Sequence, residues 1–139
     1  MMNIIFTVMI LVGIVRAQNA EIGLPTVDQQ LSKGTDVIVQ IQRPNTLTGS
    51  TEMALAIGIS SCSAQECLSP VESMGEILYL GSFDPEYHED SLPPYQNFTV
   101  TVPSDFAVGD AHINVAHATL VGASEAPLLQ TLNRTVVVA

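Results

Sequence analysis

The chain has 139 residues, 47% hydrophobic and 5% aromatic, with four Lys and Arg against fourteen Asp and Glu for a net charge of −10. So few cations cannot line a stripe that neutralises phosphates, which excludes nucleic-acid binding and disfavours anionic membrane surfaces. The length suits one domain with its own core rather than two, and the acidity favours cationic partners or metal ions.

In chain order, the first feature is an address. Ile4 to Val15 is almost wholly apolar and is followed by Arg16 and Ala17, the pattern of a secretory signal peptide over residues 1–17. At about 1.5 Å per residue the apolar run spans roughly 18 Å, well short of the roughly 30 Å of a bilayer's hydrocarbon core. The Asn133–Ala139 end lacks the long apolar tail of a lipid-anchor signal. No stable membrane anchor is therefore expected. The expectation is an extracellular protein whose mature part, residues 18–139, is a single domain starting at Gln18. Its basic residues are then Lys33, Arg43 and Arg134 against fourteen acidic ones, a charge of −11.

The mature part alternates apolar and polar residues with the two-residue period of strands. A short strand over Glu21–Leu24 precedes Pro25. Asp36–Gln42 places Val37, Val39 and Ile41 on one face, and Asp36, Gln40 and Gln42 on the other. Glu52–Ser60 sets Met53, Leu55, Ile57 and Ile59 against Ala54, Ala56, Gly58 and Ser60. Glu76–Phe83 is apolar on both faces and reads as a central strand, with Tyr79 alternating with Ile77 and directed to the core. Asn97–Pro103 sets Phe98, Val100 and Val102 inward, and strands over Asp110–His117 and Leu128–Val138 follow. Turn signals separate these runs at Lys33-Gly34, Pro44-Asn45, Gly49, Asp84-Pro85, Pro93-Pro94, Gly109 and Gly122. No mature segment repeats apolar residues at helical spacing over three turns. About seven strands of this kind predict an all-β, antiparallel, two-sheet immunoglobulin-like sandwich.

Cys62 and Cys67 are the only cysteines. In an exported chain they are expected to form a disulfide that pins a turn, worth about 2 kcal/mol for so short a loop. A zinc site wants four ligands, and two thiols with no nearby His do not supply them. Asn97-Phe-Thr99 and Asn133-Arg-Thr135 are glycosylation sequons. Asn97 falls on the polar face of its strand. With Asn133 outward, Leu132, Val136 and Val138 point inward and Arg134 goes with them.

One segment concentrates chemistry. Phe83 to Tyr95 holds Asp84, Glu86, Glu89 and Asp90 with Tyr87, His88 and Tyr95 on a loop between strands. Its carboxylates suggest a hard cation such as calcium, but the regular spacing and central glycine of a calcium loop are missing. Two of them could serve as acid and base for glycoside hydrolysis, given the right separation. Tyr87 and Tyr95 are the candidate platform for stacking on a sugar. His112 and His117 lie five residues apart on one strand and so face opposite ways, which does not bring them to one metal. Gln18 rather than His at the expected start argues against an N-terminal copper site. No nucleophile elbow, phosphate-binding glycine loop or His-Glu-X-X-His occurs. No catalytic residue, metal or cofactor is assigned.

Several stretches are also similar to a group of known proteins: Ile57–Cys62 running into the small disulfide, Gly75–Gly81, Gln96–Pro103 and Gly109–His117. Together with the signal peptide they resemble the small secreted proteins of filamentous fungi, especially mushroom-forming ones. The Val-Pro and the Gly before the next strand are similar to the immunoglobulin-like module of fungal Ser/Thr-rich cell-wall proteins. The stalk and anchor of those proteins are missing from this sequence. The resemblance implies a fold and carries over no catalytic residue. The expected function is a secreted, glycosylated, non-enzymatic recognition module for a cell-wall polysaccharide or another secreted protein. Tyr87, His88, Tyr95, Glu86, Glu89 and Asp90 are its candidate contact residues. A hydrolase or a calcium-binding domain using the same loop is the alternative.

Overall fold

The computed structural model describes residues 19–45 and 49–139. The signal-peptide expectation over residues 1–17, and Gln18, lie outside the described residues. Among the described residues there is no helix, and none that is long and apolar enough to cross a membrane.

Eight strands form two sheets: β1 (Glu21–Leu24), β2 (Gln29–Leu31), β3 (Asp36–Gln42), β4 (Ser50–Ser61), β5 (Glu76–Gly81), β6 (Tyr95–Thr101), β7 (Gly109–Val121) and β8 (Ala126–Val138). The three-stranded sheet runs β1-β3-β6 and the five-stranded sheet β2-β8-β7-β4-β5. The expected two-sheet all-β architecture is therefore present. Its core is the alternation made physical. Val37, Val39 and Ile41 of β3 and Phe98 and Val100 of β6, with Val102 just after it, meet Leu55, Ile57, Ile59, Ile113, Val115, Val136 and Val138 from the other sheet. Each such side chain taken out of water contributes on the order of 1.5–3 kcal/mol before ordering entropy is charged.

Three details differ from the sequence reading. First, β2 is an additional strand and pairs parallel to β8, Gln29 opposite Val136 and Leu31 opposite Val138. At three residues it is too short to show a period. Second, β5 is an edge strand, not a central one, and Leu80 is 74% exposed. Its apolar outer positions reflect an uncovered face. An extra residue, Leu78, also shifts its register, because Ile57 faces Tyr79 while Gly58 faces Ile77. Tyr79 packs on Phe98 with ring centroids 4.6 Å apart, whereas Ile77 stays exposed.

Third, Met53 does not join the inward row and is 56% exposed. Glu52 pairs with Thr119 and Ala54 with Ala118, so Met53 is the inserted residue of a β-bulge. Beyond it the parity of β4 reverses. Glu52 then shares the inward face with Leu55 and the residues opposite them, Thr119 and His117.

Part of the outer face of the same sheet, around Gly58 and Asn114, is covered by the connection from β4 to β5. Small residues allow it to lie close: a Cβ on Gly58 would come within 2.2 Å of the Met74 carbonyl oxygen. Gly75, at φ +72°, would place a Cβ equally close to the Ile59 carbonyl. Asn114 is buried beneath this connection and donates to Ser60 Oγ at 3.0 Å and to the Met74 carbonyl at 3.2 Å. Cys62 and Cys67 at its start are joined as the expected disulfide, Cα atoms 4.6 Å apart.

The bulge has a direct test in chemical denaturation. Ile57→Ala is expected to destabilise by about 2–5 kcal/mol, whereas Met53→Ala changes stability by under about 0.5 kcal/mol. A Met53 effect as large as that of Ile57 would put Met53 back in the core.

Candidate functional site

The reversed parity of β4 creates a buried charge at one end of the sandwich. Glu52 accepts a hydrogen bond from Arg43 Nε at 2.9 Å and a short contact from His117 Nε2. Arg43 is 4% exposed and His117 0%. Phe83 meets the His117 ring edge-on at 5.4 Å. On the other side His117 Nδ1 stands 3.5 Å from Gln130 Oε1, and Gln130 grips both backbone groups of Ala20, at 2.8 and 3.0 Å. Burial alone would push the Glu52 carboxyl up. The hydrogen bonds from His117 and Arg43, and then their charges, outweigh it and hold the group below its ordinary value of 4.5.

Above this network opens a cleft of about 610 Å³. Phe83 and Arg43 lie buried at its base, and Asn45, Ser50, Asp84, Glu86 and Tyr87 line it with Glu52. Tyr87 is 65% exposed, and its hydroxyl oxygen accepts a hydrogen bond from Asn45 Nδ2. The loop that carries these groups is fastened at several points. Glu86 and Tyr95 exchange backbone hydrogen bonds of 3.2 and 2.9 Å. Arg43 N donates to the Pro94 carbonyl at 2.7 Å, and Asp84 N donates to Gln96 Oε1 at 2.8 Å.

The six sequence-predicted contact residues thus separate. Glu86 and Tyr87 line the cleft. Tyr95 opens β6 and is buried, with His88 stacked on it at 4.2 Å and an interplanar angle of 19°. A hydrogen bond to Glu89, with some burial and the Glu89 charge, holds the Tyr95 hydroxyl above its usual 10.0. Asp90 is exposed and does not line the cleft. Tyr87 and Tyr95 therefore do not form one exposed double platform. Arg43, Asn45, Glu52 and His117 are what pattern reading missed. The available signal was Arg43, one of only four Lys and Arg in the chain, placed beside a strand of apolar residues.

The histidines do face opposite ways, His117 to the interior and His112 to the covered outer face. The reading that no His lies near the cysteines is corrected. The β4–β7 ladder sets His112 opposite Ser60, two residues before Cys62. Among the described residues, Cys62, Cys67 and His112 are the one group of three with potential metal-ligating atoms close together. The carboxylates of the Asp84–Asp90 loop make no such group. Asn97 and Asn133 are both exposed. Arg134 turns inward as the alternation requires and donates to the Ile22 carbonyl.

An all-β, two-sheet protein with a disulfide-closed connection and an acidic end cleft is the class that fold and site define. The chain belongs to the Nis1 family, whose model matches residues 15–137. Comparison with curated proteins gives no match.

Glu52→Gln removes the carboxylate that pairs with both buried bases, and is expected to cost on the order of 3 kcal/mol at neutral pH. The carboxyl titrates lower in the native than in the unfolded chain. Its contribution is therefore complete above pH 4.5 and lost as pH falls through the lower native value. Urea midpoints of wild type and Glu52→Gln should converge in that acid range. A gap that stays constant down to acid pH would show that Glu52 ionisation does not carry it.

Proposed function

We propose that the protein is a secreted, non-enzymatic recognition module whose end cleft binds a cationic segment of another extracellular protein. The observation that carries this reading is where the charges go. Arg43 and Arg134 are both directed to partners within the fold, leaving Lys33 as the exposed cation of the described chain. The exposed carboxylates of Asp84 and Glu86 at the cleft are thus little relieved by nearby positive charge. An exposed ring beside two carboxylates suits a guanidinium or ammonium group, which gains from both the charge and the π face. Glycans at Asn97 and Asn133 sit outside the cleft lining and are compatible with it. Kinship with small secreted fungal proteins, and with the immunoglobulin-like module of cell-wall proteins, belongs to the same reading.

The test uses the secreted mature protein on immobilised Lys/Arg-rich peptides, neutral control peptides, chitin and β-glucan. Retention on the basic peptides should fall steeply with added salt. Tyr87→Ala and the pair Asp84→Asn with Glu86→Gln should each weaken it by about three- to tenfold, with melting temperature unchanged. Salt-insensitive retention on one polysaccharide would replace the cationic-partner reading with a sugar-binding one. Turnover of a glycan or ester, lost in Glu86→Gln, would instead establish the hydrolase alternative.

A further inference from the structure

The covered part of the outer face of the five-stranded sheet gathers three side chains that the cleft does not use. Cys62 and Cys67 close the start of the β4–β5 connection, and His112 reaches them from β7 because it stands opposite Ser60 in the ladder. One ligand atom from each of the three lies within 4.8 Å of the others, and all three residues are half-buried. A second observation concerns the imidazole itself. Nδ1 of His112 is buried and has no hydrogen-bond partner. Buried polar atoms are nearly always satisfied, so one that is not asks for a ligand or another role. Two thiolates from the connection that leaves β4 and an imidazole from β7, its ladder neighbour, are the donor set of a Cys₂His site.

We propose that the reduced chain binds a thiophilic divalent metal ion, zinc by preference, through Cys62, Cys67 and His112. The fourth position is left to water or a partner's side chain, and the disulfide is the metal-free form of the same site. The interconversion balances simply. The S–S bond breaks as two thiols give up two electrons and two protons and become a disulfide, or as a phosphine gives two electrons while water gives the two protons and the oxygen of the resulting phosphine oxide. The two thiols then lose their protons as two sulfur–metal bonds form. His112 enters as a neutral donor.

The experiment takes the mature chain, reduces it with a phosphine without oxygen, and titrates Co²⁺ as the optical probe before displacing it with Zn²⁺. The expected result is one equivalent of tetrahedral cobalt with thiolate-to-metal charge-transfer bands. These should be missing from the disulfide form and abolished by zinc. His112→Ala should weaken binding by about tenfold or more. Far-UV circular dichroism follows the same samples, since reduction could loosen the domain, and zinc should then restore the strand signal. Absence of the charge-transfer bands, a His112→Ala titration matching wild type, or a reduced chain that zinc leaves unfolded would each overturn the proposal.

Discussion

One carboxylate holds together the functional end of this molecule. Glu52 faces two bases that the sandwich has taken out of water, and its removal would break both pairs at once. Taking an ion out of water costs several kcal/mol unless it is paired in good geometry, so these positions are interdependent. Through Arg43 the network reaches the end of β3 and the Pro94 carbonyl; through His117 and Gln130 it reaches Ala20 ahead of β1. Three segments far apart in sequence thus take their places around a single side chain. The cleft above inherits its shape from that arrangement.

The device that puts Glu52 there is a single inserted residue. A regular β4 would send Met53 inward and Glu52 out, giving an ordinary apolar end to the sandwich. The bulge exchanges them. The local apolar burial of Met53 is lost, and a charged group is gained at the sandwich end, where Asp84 and Glu86 add exposed acid on the adjoining loop. Bulges commonly re-aim side chains at the working end of a sheet, and this one does so next to the cleft lined by Glu52, Asp84 and Glu86.

How far pattern alone could reach follows from the same insertions. Val37, Val39 and Ile41, or Phe98 and Val100, lie on β3 and β6, which pair with each other without interruption, and there period-two counting puts these side chains on their observed face. Counting fails at Met53 and Leu78, because an added residue reverses the parity and leaves no local mark in composition. The parallel β2–β8 contact is invisible for a different reason, since its two partners are over a hundred positions apart. Tyr95 shows a third limit. Its place in an acidic, aromatic loop suggested an exposed contact, whereas ladder pairing with Gln42 and the stacked His88 cover it. Likewise, proximity of His112 to the cysteines is a property of strand register and not of sequence distance.

The position of β8 has a kinetic consequence. It is hydrogen-bonded to β7 on one side and β2 on the other, while Gln130 and Arg134 on it hold the backbone at Ala20 and Ile22. The β7–β8 hairpin can form locally around the turn at Gly122. β1 can pair with β3 about twenty residues on, but β2 has no such option, because its ladder partner β8 lies more than a hundred positions later. Contacts closed over such long loops must meet their entropic cost before any burial rewards them, which places this topology among slow-folding domains, in the millisecond-to-second range. Until β8 is seated, Ala20 and Leu31 have no partner to cover them. β2, early in the chain, is therefore among the last strands to become native.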